Sequence, residues 1–231
     1  MIIHGLQKLT LVDYPGKMAS ILFTGACNFR CPFCQNGRLV LNPNDEPIIP
    51  EEEVFEFLEK RKKMLEGVVV TGGEPTINKD ILPFLERIKK LGYSVKLDTN
   101  GYRPEVLEQA MKNNLVDYVA MDIKNSLDMY PKTAGLSFFS EEKIRRSVDL
   151  LMGGNVEYEF RTTVVKEYHY EENFKKIGEW LSGASKYFLQ SFVKSEDTIE
   201  KNLNSPSIEE LENYQKILKS YIDNVQIRDI R

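Results

Sequence analysis

Cys27-Asn28-Phe29-Arg30-Cys31-Pro32-Phe33-Cys34 gathers all three cysteines of the chain into eight residues. Thiolates are the ligands that iron–sulfur clusters and zinc prefer, and gaps of three and two residues let one short loop curl around a single centre. Their number decides what kind of centre this is. A cubane cluster ordinarily takes four cysteines, so three leave one iron open, much as a catalytic zinc site keeps a position that a structural site closes. An open iron can bind a substrate. The competing reading is a zinc knot with His4 or His169 as fourth ligand, although neither stands in ligand-like spacing. An odd, tightly clustered set of thiols suits metal binding in a reducing compartment better than disulfide bridging.

The elements that must position this loop alternate along the chain. The apolar run ending in Ile21-Leu22-Phe23 has the length of a buried strand, so the cysteines follow a strand. After an irregular connection carrying Pro43, Pro47 and Pro50, a helical stripe runs over residues 51–64 through Val54, Phe55, Leu58 and Met64. Its early acids and late Lys60-Arg61-Lys62-Lys63 suit the helix dipole and a solvated face. Then come a strand at 67–71, the turn Gly72-Gly73-Glu74-Pro75 and a helix at 80–91. A strand at 93–97, the corner Asp98-Thr99-Asn100-Gly101 and a helix at 104–113 follow. A strand at 118–121 leads into Asp122-Ile123-Lys124 and a loop to Ser137. Helices at 140–152, 171–183 and 207–220 alternate with strands at 156–165 and 186–192, and a last strand is expected at 224–228.

Six strand–helix units argue for a parallel sheet covered by helices, because parallel strands need long crossovers. Doubly wound and barrel arrangements both satisfy that. The cysteine loop and the three polar motifs follow the C-terminal ends of the first four strands, which converge on the active-site face of a barrel. Residues 1–18, with the turn Asp13-Tyr14-Pro15-Gly16-Lys17, read as an N-terminal β extension, a hairpin ahead of a core domain over 19–231.

The 231 residues, 42% hydrophobic and 29% charged, suit one sizeable globular domain. With 35 acidic against 31 basic side chains, the formal net charge is −4, so no overall basic field draws the chain to nucleic acid. The N-terminus lacks the pattern of a secretory signal and no run approaches a membrane span, which reads as a cytoplasmic protein with no membrane partner.

Cys-x3-Cys-x2-Cys with Phe33 before the last cysteine resembles the signature loop of the radical S-adenosylmethionine (SAM) enzymes. The resemblance implies a partial (β/α)6 TIM barrel open along one side. It also implies a 4Fe-4S cluster held by Cys27, Cys31 and Cys34, with SAM chelating the fourth iron. One electron passed to the sulfonium then gives methionine and a 5′-deoxyadenosyl radical that takes a hydrogen atom. Gly72, Gly73 and Glu74 resemble the family's glycine-rich motif near the amino group of SAM. Asp98, Thr99, Asp122 and Lys124 match the branch that activates glycyl radical enzymes, where these groups surround SAM and a monovalent cation sits among the carboxylates. Asn36 is a further candidate SAM contact. Arg161 is read two ways, gripping SAM or pairing with Asp122 inside the barrel. At Phe192 the chain departs from the formate-lyase activating enzymes, which carry a histidine near there; His169 reads as a solvated loop residue.

The lead-in Val12-Asp13-Tyr14-Pro15-Gly16-Lys17 and Cys34-Gln35-Asn36 resemble the activating proteins of anaerobic ribonucleoside-triphosphate reductases. That implies a radical SAM oxidoreductase whose partner is a glycyl radical enzyme, with a flavodoxin or ferredoxin supplying electrons. The alternatives are a radical SAM enzyme acting on a small molecule, such as a deazapurine-type synthase, and a non-catalytic iron–sulfur or zinc protein.

Overall fold

The computed structural model describes residues 1–228, so residues 229–231 of the expected core lie outside the described residues. In chain order the elements are β1 Ile3–Thr10, β2 Ala19–Thr24, α1 Gly37–Leu41, α2 Glu51–Arg61, β3 Gly67–Gly72, α3 Ile81–Lys90, β4 Ser94–Thr99 and α4 Pro104–Lys112. There follow β5 Tyr118–Asp122, α5 Tyr130–Ala134, α6 Glu141–Met152, β6 Glu157–Val164, α7 Glu171–Trp180, β7 Tyr187–Ser191, α8 Ile208–Leu218 and β8 Val225–Arg228.

All eight strands among the described residues form one sheet in sequential order, β1 antiparallel to β2 and every later neighbour parallel. A doubly wound sheet reverses its strand order at a switch point, and none occurs here. Crossovers of one hand that all step in the same direction put the helices on one face, and the other face curls into a barrel interior. Among the described residues no pairing joins β8 back to β1. The barrel is therefore partial, as the resemblance implied.

Strand alternation sorts the side chains into two cores. Outward-facing Leu22, Val68, Val70, Val95, Leu97 and Val119 pack with Leu58, Phe84, Leu85, Ile144 and Phe174 of the helices. Inside, Tyr14, Ala19, Ile21, Val69 and Tyr118 form a separate apolar floor. Tyr14 belongs to the expected turn, yet its ring plugs the barrel and packs 6.1 Å from that of Tyr118. Gly67 admits that ring, since a Cβ there would stand 2.8 Å from it. Toward the C-terminal strand ends the inner face turns polar, so the site lies at the top.

Helix boundaries moved where the apolar stripe stops. The stripe over residues 51–64 ends at Arg61 because Met64 is 57% exposed and Leu65 takes the buried position instead. Residues 171–183 stay helical only to Trp180, with Gly183 at φ +86° beyond. Two five-residue helices, α1 and α5, form inside stretches that read as irregular, both without a side-chain cap. No helix among the described residues is long and apolar enough to cross a membrane.

Candidate active site

The cysteine loop leaves β2 through Ala26, a non-glycine residue at φ +59°. Such backbone strain persists only where neighbours over-determine it. Here they do: Ala26 N–H donates to Leu39 O (2.8 Å), and Arg30 N–H to Ala134 O (2.9 Å). The Arg30 guanidinium folds back onto the Cys27 and Phe29 carbonyls. Buried Phe29 packs edge-on to Tyr102 and Tyr130, while Phe33 packs on Tyr168 and His169. The segment after β7 straps the loop from outside, with Glu200 N–H on Pro32 O (2.8 Å), Gln35 Nε2 on Val193 O (2.6 Å) and Arg38 Nε 2.9 Å from Asp197. No sequence motif marks that strap.

The three cysteines are free of disulfides. Burial pushes the Cys27 thiol up to about 12 and Cys31 to about 11, and raises Cys34 also, while the nearby Lys124 charge pulls each back. Desolvated thiols become ligands when a metal supplies the missing positive charge, so this donor set fits an iron–sulfur cluster. The histidines do not fit a fourth ligand position. His169 is buried rather than solvated, accepts from Val165 N–H at Nδ1 (3.1 Å) and donates from Nε2 to Lys124 O (2.9 Å). Burial lowers its pKa to about 4. His4 packs against Gly25 and bonds Pro47 O through Nδ1 (3.1 Å).

The Gly-Gly-Glu turn is bound to the cysteine loop through main chain. Gly73 N–H donates to Thr24 O and Glu74 N–H to Ala26 O, both at 2.8 Å. A Cβ on Gly73 would fall 1.8 Å from the Ala26 carbonyl oxygen, and Gly72 sits at φ +111°. The glycines thus admit backbone against backbone. Asn36 adds a bond from Nδ2 to Gly72 O (2.9 Å). Buried Glu74 accepts from Thr76 N–H (3.1 Å) and the Thr76 hydroxyl, from the Thr99 hydroxyl (2.7 Å) and from Asn100 N–H (2.6 Å). Burial raises its pKa and these donors oppose the rise. Glu74 and Thr99 therefore lock the second corner to the third. Asn100, read only as part of a turn, donates from Nδ2 to Asn28 Oδ1 (2.8 Å) and ties the third corner to the cysteine loop.

A buried chain of charges crosses the barrel. Arg161 bridges the two aspartates, Nε to Asp122 at 2.5 Å and Nη1 to Asp98 at 3.1 Å. The pairing with Asp122 is present, and Arg161 also lines the cavity, where it faces any ligand bound there. Lys124 Nζ reaches Asp122 at 2.7 Å and Lys96 Nζ reaches Asp98 at 2.5 Å. Burial by itself would raise both carboxyls, but Arg161 beside each, with Lys96 or Lys124, holds them below the ordinary carboxylate range. Lys96 was not singled out from the sequence; the signal was its position two before Asp98, which puts both on one face of a strand.

All of these candidates meet in one cavity of about 240 Å3. Its walls carry Cys27, Cys31, Cys34, Asn36, Gly72, Gly73, Glu74, Asp98, Thr99, Asp122, Lys124 and Arg161, together with Phe29, Phe33, Asn100, Thr163 and Gln190. Soft metal donors stand on one side and fixed charges on the other. Such a site can hold a metal cluster beside a small ligand bearing both charges.

The Radical SAM superfamily model matches residues 21–181. The chain is 36% identical over 235 residues, 99% of its own length and 96% of the relative's, to a Methanocaldococcus jannaschii protein named provisionally as a glycyl-radical enzyme activating enzyme. It superposes on a domain of a pyruvate-formate lyase-activating enzyme from Bacteroides vulgatus with a TM-score of 0.56 at 20% identity, covering 70% of this chain and 98% of that one. Streptococcus suis SuiB, crystallised with S-adenosylmethionine, superposes with a TM-score of 0.69 at 14% identity, covering 91% of this chain and 52% of that one. At those identities the likeness to the solved structures is one of fold.

Proposed function

The chain belongs to the radical SAM superfamily, and from that premise we propose that it is an activating enzyme that installs a glycyl radical on an anaerobic ribonucleoside-triphosphate reductase. The observation that carries this reading is the 36% identity, running through 99% of the chain, to the archaeal protein named as a glycyl-radical enzyme activating enzyme. The lead-in Val12 to Lys17 and Cys34-Gln35-Asn36 favour the reductase as target among glycyl radical enzymes.

Cys27, Cys31 and Cys34 would hold a 4Fe-4S cluster, and SAM would take the iron that no cysteine reaches. When bound and reduced, this pair supplies reductive cleavage of the sulfonium and a carbon radical able to remove a hydrogen atom. The residues of the chain do the rest. Phe29, Phe33 and Val40 form the apolar part of the cavity wall and limit the water that reaches the thiols. Lys124 places a buried positive charge within reach of all three thiols, where it favours their ionised form. Arg161 keeps Asp98 and Asp122 ionised and immobile, so the fixed charges of the cavity wall are in place before a ligand binds. Asn36 and Asn100 fix the two rims of the cavity to the cysteine loop. The hydrogen donor is a glycine on a loop of the partner, entering through the unpaired side of the barrel, and a flavodoxin or ferredoxin delivers the electron.

Mixing the reduced, cluster-loaded protein with SAM and an anaerobic reductase tests this reading by electron paramagnetic resonance. A glycine-centred doublet is expected. Its absence from a preparation that cleaves SAM would move the target to a small molecule.

A further inference from the structure

Every oxygen of the two aspartates in the cavity already faces a basic side chain. Lys96 takes Asp98 Oδ1 at 2.5 Å and Arg161 takes Oδ2 at 3.1 Å. Arg161 and Lys124 take Asp122 Oδ1 and Oδ2 at 2.5 and 2.7 Å. Three cations against two anions leave this group at +1. A monovalent cation, which the family resemblance puts among such carboxylates, would enter a positively charged cluster in which each carboxylate oxygen already faces a basic side chain. These residues do not fit it.

Lys96 is the member with no other work to do. It projects from β4 into the barrel below the cavity, its side chain 4% exposed, and Asp98 is its one ion-pair partner among the described residues. Glu159, buried beside Tyr118, is engaged elsewhere: it accepts two bonds from Arg228, at 2.8 and 3.0 Å, and one from the Tyr118 hydroxyl at 2.8 Å. The Tyr118 ring lies beneath the ammonium, 6.0 Å from its nitrogen. A charge taken out of water is stable only beside an opposite one. The two hold each other.

We propose that the Lys96 ammonium is a built-in counter-ion, standing where a dissociable sodium or potassium ion would otherwise neutralise Asp98. Lys96 is then a positioning residue: it touches no ligand and acts through Asp98, which lines the cavity. This rests on the reading of the cavity as the SAM site. Because the counter-ion is covalent, SAM binding is independent of the alkali cation present.

The test measures SAM affinity of the anaerobic, cluster-loaded enzyme in sodium, potassium or N-methylglucamine chloride at equal ionic strength. Wild-type affinity is expected to agree within about twofold across the three salts. Lys96→Ala removes one charge-assisted bond and leaves a hole of cation size, so its affinity in N-methylglucamine falls about tenfold or more and is restored by potassium or methylammonium. Lys96→Met keeps the volume filled and is weakened without rescue. A cluster absorbance equal to wild type shows that neither variant has lost the cluster. Three results would overturn the proposal: wild-type affinity that collapses without sodium and potassium, Lys96→Ala binding as tightly as wild type in N-methylglucamine, or a weakened Lys96→Ala that no small cation rescues. The wild-type comparison decides by itself if Lys96→Ala does not fold. Failure of wild type to bind SAM in any salt would instead overturn the reading of the cavity, and the counter-ion with it.

Discussion

Replacing Gly73 by alanine is a sharp perturbation because the obstacle is backbone. The new Cβ would stand 1.8 Å from the Ala26 carbonyl oxygen and 2.7 Å from its carbon. Ordinary contact needs roughly 3.5 Å, so the Gly-Gly turn and the start of the cysteine loop must part by roughly 1.7 Å. That separation breaks the bonds from Gly73 N–H to Thr24 O and from Glu74 N–H to Ala26 O, each 2.8 Å long. Two lost backbone bonds contribute about 2 kcal/mol and overpacking about 1–3 kcal/mol more, giving a destabilisation of about 3–5 kcal/mol. Ala26 immediately precedes Cys27, so the first thiol moves with it. The proper control is Gly183→Ala: φ is +86° but nothing lies within 4 Å, so only conformational strain of about 1–2 kcal/mol applies. Urea unfolding of the metal-free proteins measures the stability difference, and iron per chain after anaerobic reconstitution measures the loop. Equal stability and equal iron content in the two variants would refute the argument that these glycines bring backbone against backbone.

Glu74→Gln keeps the shape but sets an amide N–H against a donor in a carboxylate site that accepts four bonds; a loss of about 2–3 kcal/mol is expected in urea unfolding, and a loss below the error of the fit would show the carboxylate charge to be dispensable. Asp122→Ala leaves Arg161 and Lys124 short of a partner and is expected to weaken SAM binding by more than about tenfold while the cluster absorbance survives; unchanged affinity would remove Asp122 from the site. The depressed pKa values of Asp98 and Asp122 mean that the unfolded chain binds more protons. Their contribution is therefore complete above the ordinary carboxylate pKa, near about 4, and declines as pH falls toward the folded values. Metal-free wild type should lose stability on acidification below about pH 4 more steeply than Asp98→Asn, and identical slopes would contradict that assignment.

What the sequence disclosed follows from how local each signal is. The three cysteines lie in one loop, so their spacing alone suggests a metal centre, and the polar corners could be placed because each ends a recognisable apolar strand. The barrel was legible for the same reason: strand–helix alternation with polar corners at successive strand ends leaves few other arrangements. Apart from Arg161 with Asp122, long-range partnerships were not legible. Lys96 looked like an ordinary strand residue until Asp98 and the neighbouring strands enclosed it. His169 sits in a polar stretch between two tyrosines, yet α8 covers it, with the Tyr214 hydroxyl on the His169 carbonyl at 3.2 Å. Nothing in residues 167–172 signals that cover. Glu74 and the two glycines were found for the chemistry they resemble, whereas their contacts tie one loop to the next. The helices α1 and α5 are five residues long without side-chain caps, and tertiary contacts hold them where propensity would not.

Reductive cleavage of SAM tests the account most directly. Anaerobically reconstituted protein, reduced with dithionite and given SAM, should release methionine and 5′-deoxyadenosine in equal amounts, and Cys31→Ala should lose both the cluster signal and the products. Stoichiometric zinc in place of iron, or turnover that persists in Cys31→Ala, would contradict it.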